Sequence, residues 1–211
     1  MPVKRRLLLL LAPALLAAGC ASFPDRETIR AGGEDAIAHA YPGMPPALVA
    51  RSSQDASQKL CSKAPEDKLT AEEARQIVES ARASITYPPS GKLVGDWKIG
   101  AQLVANGAGQ RVRDGRVEKT RENGALCANC HALDAKEVNA GNLGPSLMGY
   151  GAKRGTSDAV VKHTYEKIYN AWLYFPCSNM PRLGASGFLT PEQITHLVAY
   201  LVDPQSPVNR N

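Results

Sequence analysis

The sequence predicts an all-α protein, and two observations support that class. Apolar residues recur at helical spacing in four separate segments, and two of these segments open with a capping box. No stretch of useful length alternates apolar and polar residues as a half-buried strand would. The chain of 211 residues is long enough for one ordinary core. We therefore expect one compact helical core, preceded by an N-terminal arm and an accessory helix.

The first 19 residues are typical of a bacterial export signal and not of folded structure. Basic residues at 4–6 precede an apolar run over 7–18. This run of about a dozen residues is too short for a membrane-spanning helix, which needs roughly 20. We therefore exclude 1–19 from the fold and expect the mature protein in the periplasm.

The end of this signal, LAAGC at 16–20, resembles the lipobox of bacterial lipoproteins. The resemblance implies that the chain is cut before Cys20 and that this cysteine carries lipid. Two or three acyl chains anchor a protein stably to a membrane, because each buried methylene contributes about 0.8 kcal/mol. The alternative is an ordinary signal peptide cleaved near Ala18 or Ala21, which would release a free protein.

The net charge of +5 belongs mostly to the signal. Of 25 Lys and Arg residues, removal of the three at 4–6 leaves 22 against 20 Asp and Glu, a net charge of +2. No basic run carries interleaved aromatic residues. The composition therefore does not indicate nucleic-acid binding.

The mature chain divides into three regions. Residues 20–69 are rich in Ala, Pro, Gly and Ser and lack a sustained apolar period, so we interpret them as a tether and arm. Residues 70–90 predict an accessory helix, and residues 91–211 predict the main helical domain.

The accessory helix and the first helix of the main domain both have an apolar face. Thr70 and Glu73 form a capping box, and the accessory helix ends before Pro88. The apolar residues on one face of this helix are Ala74, Ile77, Val78, Ala81 and Ile85. The next helix is predicted over 95–107, where Gly100 leaves room for the close approach of another helix.

Two further helices follow a predicted loop. The stretch 107–124 is glycine-rich, charged and without apolar periodicity, so we interpret it as an exposed inserted loop. A third helix is predicted over 157–171. Its residues at helical spacing are Val161, Tyr165, Ile168 and Trp172. The fourth helix begins with Thr190 as cap and Pro191 at its first position, and it ends before Pro204.

The decisive motif is Cys127-Ala128-Asn129-Cys130-His131. Two thiols separated by two residues on one turn can reach the two vinyl groups of one haem, and the following histidine can coordinate the iron. A zinc site would need four ligands, and no second cysteine pair supplies them. A thioredoxin-like redox pair would follow a strand in a βαβ unit, which the sequence does not predict. We therefore expect one covalent haem c on Cys127 and Cys130, with His131 as an iron ligand.

The sixth ligand of the iron must come from elsewhere in the chain. The candidate side chains are Met44, Met148, Met180, His39, His163 and His196. Residue type alone leaves these alternatives open, because methionine is usually a core residue and a helical histidine usually packs or faces solvent.

A resemblance to small class I cytochromes c distinguishes these candidates. The segment NLGPSLM at 142–148 is similar to the proximal loop of those proteins, in which a backbone carbonyl accepts the proton of the ligand histidine. The resemblance implies that Pro145 supports His131 and that Met148, on the same loop, cannot reach the opposite face of the haem. Class I cytochromes keep their second ligand between the last two helices, which implies Met180.

The chain has five cysteines, an odd number that cannot all form disulfides, and the assignments above account for three of them. Cys20 is assigned to lipid, and Cys127 and Cys130 are assigned to haem, which leaves Cys61 and Cys177 to form a disulfide in an oxidising compartment. Two unreacted thiols are the alternative. A disulfide over so long a loop contributes on the order of 4 kcal/mol and would pin the arm beside the ligand loop.

Five stretches resemble SoxX, the small cytochrome subunit family of the SoxAX thiosulfate-oxidation complexes. They are GKLVGDW at 91–97, NLGPSLMGY at 142–150, TYEKIYN at 164–170, CSNMPRLG at 177–184 and DPQSPVN at 203–209. The resemblance covers about 61–209, and it implies a class I cytochrome c fold for the domain at 91–211.

The same resemblance implies an electron-transfer role and its partners. SoxX proteins form a heterodimer with SoxA, whose own haem conjugates thiosulfate to a cysteine of the SoxYZ carrier. The chain would accept the released electrons on its haem and pass them to a small soluble cytochrome, so it would contribute no catalytic residue. The alternatives are an independent electron shuttle and a haem subunit of another periplasmic dehydrogenase.

Overall fold

The computed structural model describes most of the chain after the export signal, over residues 24–40, 49, 52–63, 68–109, 112–113, 116–117 and 122–210. The predicted all-α class is confirmed. The chain forms two compact units, Met1–Ser53 and Gln54–Asn211, and each is described by itself. The signal and Cys20 lie outside the described residues, so the predictions about them stay predictions.

The described helices, in chain order, are α1 (Arg26–Ala40), α2 (Ala56–Cys61), α3 (Ala71–Ala83), α4 (Trp97–Ala105), α5 (Tyr150–Arg154), α6 (Asp158–Tyr169) and α7 (Pro191–Val202). Short 3₁₀ turns lie at Cys127–Asn129, Ala171–Leu173 and Pro207–Asn209, and strands β1 (Val112–Arg113) and β2 (Arg116–Val117) form an antiparallel pair. The four predicted helices correspond to α3, α4, α6 and α7. Within the described part of the chain, no helix is both long and apolar enough to cross a membrane.

Helix α1 lies in the segment interpreted as a tether, where no helix was predicted. The carboxylate of Asp25 caps this helix by accepting the amide N–H of Thr28 at 2.8 Å. All of its described side chains are exposed, including Ile29 and Ile37. The helix therefore depends on its cap and its alanines, which are weaker signals than an apolar stripe.

Both predicted capping boxes are present. The hydroxyl of Thr70 accepts the amide of Glu73 at 3.2 Å, and the Glu73 carboxylate accepts the amide of Thr70 at 3.0 Å. Thr190 and Gln193 exchange the same pair of bonds, and Pro191 follows the cap as predicted. These local bonds fix where α3 and α7 begin.

Helices α4 and α7 approach each other closely, and their contact organises the main core. A Cβ on Gly100 would lie 2.1 Å from the carbonyl oxygen of His196, so any larger residue would force the two backbones apart. The predicted close approach at Gly100 is therefore confirmed. The buried side chains of this core include Leu103, Val104, Tyr165, Ile168, Ile194, Leu197 and Val198.

Helix α3 packs against the turn Ala171–Leu173 and forms a second, smaller core. Ile77 and Ala81 are buried there beside Trp172. The partly buried residues that border this cluster are Leu60, Cys61, Leu69, Val78, Ile85 and Cys177. The predicted apolar face of the accessory helix is therefore a packing face, which joins α3 to the segment that follows α6.

The prediction of an exposed loop over 107–124 is wrong for the two ends of that segment. Ala108 and Gly124 are buried, and the amide of Gly124 donates to the carbonyl of Ala108 at 2.8 Å. The side-chain amide of Asn123 donates to the carbonyl of Phe188 at 2.7 Å. These contacts join residues that are distant in the sequence, and no apolar periodicity predicts them.

The C-terminal turn Pro207–Asn209 fastens the end of α7 to the start of α5. The side-chain oxygen of Asn209 accepts the amide of Gly151 at 2.8 Å, and its nitrogen donates to two carbonyls at the end of α7. The carbonyl of Val208 accepts the amide of Gly149 at 2.7 Å, and the Val208 side chain is fully buried. The turn Pro207–Asn209 is therefore attached to the core.

Candidate haem site

The CxxCH motif forms a tight turn at Cys127–Asn129. Leu126 enters this turn with a left-handed backbone conformation, at φ 34°. The amide of His131 donates to the carbonyl of Cys127 at 2.9 Å, and the amide of Cys130 donates to the same carbonyl at 3.1 Å. Two thiols and one imidazole are therefore presented by a single rigid stretch of backbone.

The two thiols of this turn are in no disulfide, and both are partly accessible. Burial raises the pKa of the Cys127 thiol to about 11, so it is protonated at neutral pH. The first cysteine of a redox-active CxxC pair, which is the nucleophile, has a lowered pKa, because the thiolate is the reactive form. The turn also follows no βαβ strand, since the described strands have two residues each. Both observations disfavour the thioredoxin-like alternative.

The ring of His131 is oriented by the loop that follows it. Its Nδ1 atom lies 2.7 Å from the carbonyl oxygen of Pro145, so Nδ1 carries the proton and donates it to that carbonyl. This tautomer leaves the lone pair of Nε2 available to a metal.

Two glycines allow this loop to lie against the motif. A Cβ on Gly144 would be 2.2 Å from Cε1 of His131, and a Cβ on Gly141 would be 1.9 Å from the carbonyl oxygen of Asn129. The amide of Gly144 also donates to the carbonyl of Cys130 at 2.8 Å. Sequence reasoning did not identify these two positions, although Gly144 lies within the quoted proximal motif and Gly141 directly precedes it.

Met180 lies in the segment between α6 and α7, in the loop Cys177–Gly184. Its side chain is partly buried and packs against the main core, and its amide donates to the hydroxyl of Ser178 at 3.2 Å. The loop closes where the amide of Gly184 donates to the carbonyl of Tyr169 at 3.0 Å.

The same loop is attached to the N-terminal arm. Cys61, the last residue of α2, forms a disulfide with Cys177. Arg182 pairs with Asp55 at 2.8 Å and lies over the ring of Trp172, 4.4 Å from its centroid. Sequence reasoning did not find this use of Asp55, Trp172 and Arg182, because the pairing depends on the tertiary fold.

Two of the other candidate ligands have structural contacts of their own. Nδ1 of His196 accepts the amide of Asp96 at 2.8 Å, near the N-terminus of α4. The ring of His163 packs against Tyr174, with centroids 4.2 Å apart, and burial together with Arg154 lowers the pKa of this histidine. Both imidazoles therefore serve packing or capping in this fold.

The remaining candidates lie elsewhere. Met148 is on the His131 loop, where its carbonyl accepts the ammonium of Lys153 at 2.8 Å. His39 lies in α1, with Nδ1 2.8 Å from the carbonyl of Asp35. Met44 is outside the described residues.

The residues of the site fit a covalently attached haem better than a bare metal ion. No group of three or more His, Cys, Asp and Glu in the described residues could hold a metal ion, which removes support from the zinc alternative. Two partly accessible thiols on one turn, which can form thioether bonds to haem, and an imidazole whose Nδ1 is bonded are the groups that hold a c-type haem. The partly buried apolar side chains that pack against the core include Leu147, Tyr150, Met180, Leu183 and Phe188.

The fold and the site together define a c-type haem protein. The family model described as cytochrome c matches residues 119–203, which include the CxxCH turn and α7. A protein of Aquifex aeolicus (strain VF5) described as an uncharacterized lipoprotein is 40% identical over 161 residues, covering 76% of this chain and 75% of that protein.

Residues 119–203 are a cytochrome c domain, and the chain belongs to one family with the Aquifex aeolicus protein. Its cofactor is therefore haem c, bound covalently, and its chemistry is haem-based electron transfer. The predicted class I cytochrome c fold is confirmed for this all-α chain.

Proposed function

We propose that this chain is the electron-accepting subunit of a periplasmic cytochrome complex that oxidatively conjugates thiosulfate to a carrier-protein cysteine. The observation that carries the proposal is the combined resemblance to SoxX over five stretches, from 91–97 to the terminal 203–209. The cytochrome c domain at 119–203 supports the electron-transfer part of this function.

Several of these stretches are in contact with one another in the folded chain. The turn at 207–209 is bonded to 149–151, at the end of the proximal stretch, through Asn209 and Val208. The loop 177–184 is bonded to Tyr169 at the end of the stretch 164–170. Together with the bond between the hydroxyls of Tyr150 and Thr164 at 2.8 Å, these contacts connect four of the five quoted stretches in one structure.

We propose that Cys127 and Cys130 would hold the haem by thioether bonds and that His131 and Met180 would coordinate its iron. When bound, the haem supplies one-electron exchange at its iron. The hydrogen bond to Pro145 holds the proton on Nδ1 of His131 and leaves Nε2 able to coordinate the iron. Coordination by the Met180 thioether together with the His131 imidazole would favour the reduced iron, so the site should accept electrons readily.

This ligand set is suited to electron transfer and not to substrate chemistry. With both His131 and Met180 coordinating the iron, no coordination position would be left for a substrate. The oxidative step would therefore take place on the partner, a SoxA-type subunit. The SoxYZ-type carrier would interact with this chain only through that subunit. Electrons would leave for a small soluble cytochrome.

We propose further that the mature protein is held at the membrane by lipid on Cys20. The LAAGC sequence at 16–20 supports this anchoring, and the relative from Aquifex aeolicus is described as a lipoprotein. Anchoring would keep the electron acceptor near the respiratory membrane.

The test is reconstitution of the matured holoprotein with a SoxA-type subunit, a SoxYZ-type carrier and thiosulfate. The expected result is a stable complex with the SoxA-type subunit and reduction of this chain's haem that depends on both thiosulfate and carrier. A small class I cytochrome c of another electron-transfer chain is the matched control and should not form the complex. No affinity and no added turnover would overturn the thiosulfate assignment.

The second candidate is an independent electron shuttle or a haem subunit of another periplasmic dehydrogenase. The observation in favour of this second candidate is that the matching family model describes cytochrome c in general. In the same experiment this candidate predicts a partner-free monomer that exchanges electrons with a terminal oxidase and ignores thiosulfate.

A further inference from the structure

The residues on either side of Met180 are held by the same indole ring. Two positions before it, the carbonyl of Ser178 accepts the ring N–H of Trp172 at 2.8 Å. Two positions after it, the guanidinium of Arg182 lies over the face of that ring, 4.4 Å from the centroid. Trp172 is 9% exposed and packs against α3, so this anchor is itself firmly placed.

Arg182 also reaches the N-terminal arm. Its Nη2 lies 2.8 Å from Oδ2 of Asp55, and the Arg182 side chain is 21% exposed. The second oxygen of Asp55 accepts the amide of Gln58 at 2.7 Å and so caps α2. A guanidinium can stack on an aromatic face and still donate from its edge, which an ammonium cannot do with the same geometry.

The arm therefore holds the loop at two points, one on each side of Met180. Cys61 at the end of α2 is bonded to Cys177, and Asp55 at its start is paired with Arg182. The six-residue helix α2 acts as a short brace across the loop that carries the methionine.

We propose that Arg182 is a positioning residue, which keeps Met180 in place as a ligand by clamping its loop between Trp172 and Asp55. This inference rests on the proposed ligation of iron by Met180. An exposed ion pair alone has little effect, but here the pair is combined with a ring contact that is largely shielded from solvent.

The experiment measures how readily imidazole replaces the methionine in the oxidised, full-length holoprotein. Loss of the near-infrared sulfur-to-iron band reports the replacement, and it is independent of electron-transfer activity. Arg182→Gln should bind imidazole about tenfold more tightly than the parent protein, because the loop is freer to move away. Arg182→Lys keeps the charge but not the stacked plane and should fall between the two.

Two further variants sharpen the result. Asp55→Asn keeps an oxygen to cap α2 but removes the charge, so it should increase imidazole affinity by less than Arg182→Gln does. Arg75→Gln is the matched control, because the Arg75 side chain is 65% exposed and pairs with Glu72 on α3 itself. This control should leave imidazole affinity unchanged.

The outcomes separate this inference from the proposed ligation. If the parent protein shows the band but Arg182→Gln and Arg75→Gln bind imidazole equally tightly, the proposed role of Arg182 is overturned and Met180 remains the ligand. A parent protein without the band would overturn the ligation itself, and the positioning role with it.

Discussion

His131 Nδ1 lies 2.7 Å from the carbonyl oxygen of Pro145, and this single bond determines which ring nitrogen can face a metal. The carbonyl belongs to the backbone, so the bond depends on the path of the loop more than on any side chain. Gly144, directly before Pro145, allows that path because a Cβ there would lie 2.5 Å from the same Nδ1 atom.

Gly144→Ala should therefore displace the imidazole and lower the yield of holoprotein. An added methyl group forces either the ring or the loop to move, at a cost of about 1–3 kcal/mol. The ratio of haem absorbance to protein absorbance after maturation measures the effect. Gly33→Ala, where nothing lies within 4 Å of the added Cβ, is the control. A normal haem ratio in Gly144→Ala would show that the loop path does not matter.

The disulfide between Cys61 and Cys177 spans 116 residues of sequence. In the chain-entropy account, closing so long a loop stabilises the folded state by about 4–5 kcal/mol, because it restricts the unfolded chain. The double variant Cys61→Ser, Cys177→Ser should lose stability of that order, as read from the midpoint of urea unfolding. The parent protein unfolded under reducing conditions should match the variant. Equal midpoints for the oxidised parent and the variant would contradict this account.

Glu166 is buried and accepts hydrogen bonds from the hydroxyls of Tyr87 and Tyr174 and from the ammonium of Lys162. Burial raises the pKa of this carboxyl, but the three donors lower it by more, so the net shift is downward from 4.5. Its ionised form therefore stabilises the fold above pH 4.5, and that stability is lost as the pH falls through the lower pKa of the folded state.

Glu166→Gln should accordingly reduce the free energy of unfolding by about 2 kcal/mol near neutral pH. The difference from the parent protein should shrink as the pH falls below 4.5, because the parent carboxyl then becomes neutral as well. Urea unfolding at several pH values measures both effects. Glu72→Gln, at a carboxylate 60% exposed, is the control and should show neither. A difference independent of pH would refute the assigned charge state.

The sequence predicts the parts of this protein that are encoded locally. Thr70 and Thr190 mark helix starts because a cap involves only the next three residues. Gly100 is predictable as a helix contact because close packing demands a missing side chain. The CxxCH turn is equally local, since both thiols and the imidazole lie within five residues.

The parts that the sequence does not predict are tertiary. Asp55 and Arg182 meet only because α2 is bonded to the loop after α6, and neither residue belongs to a recognisable pattern. Ala108 is buried and its carbonyl accepts the amide of Gly124, a contact that no apolar periodicity predicts. The choice of Met180 over the other methionines required a family resemblance. Met180 and His131 are distant in the sequence, so local patterns do not show whether both can bind the same haem.

The most direct test of the central proposal is the near-infrared sulfur-to-iron band of the oxidised holoprotein, compared in matched methionine variants. Met180→Leu should lose the band, because leucine has a similar volume but no sulfur to coordinate iron. Met148→Leu, on the loop that holds His131, should keep it. Persistence of the band in Met180→Leu, or its loss in Met148→Leu alone, would contradict the proposed ligand pair.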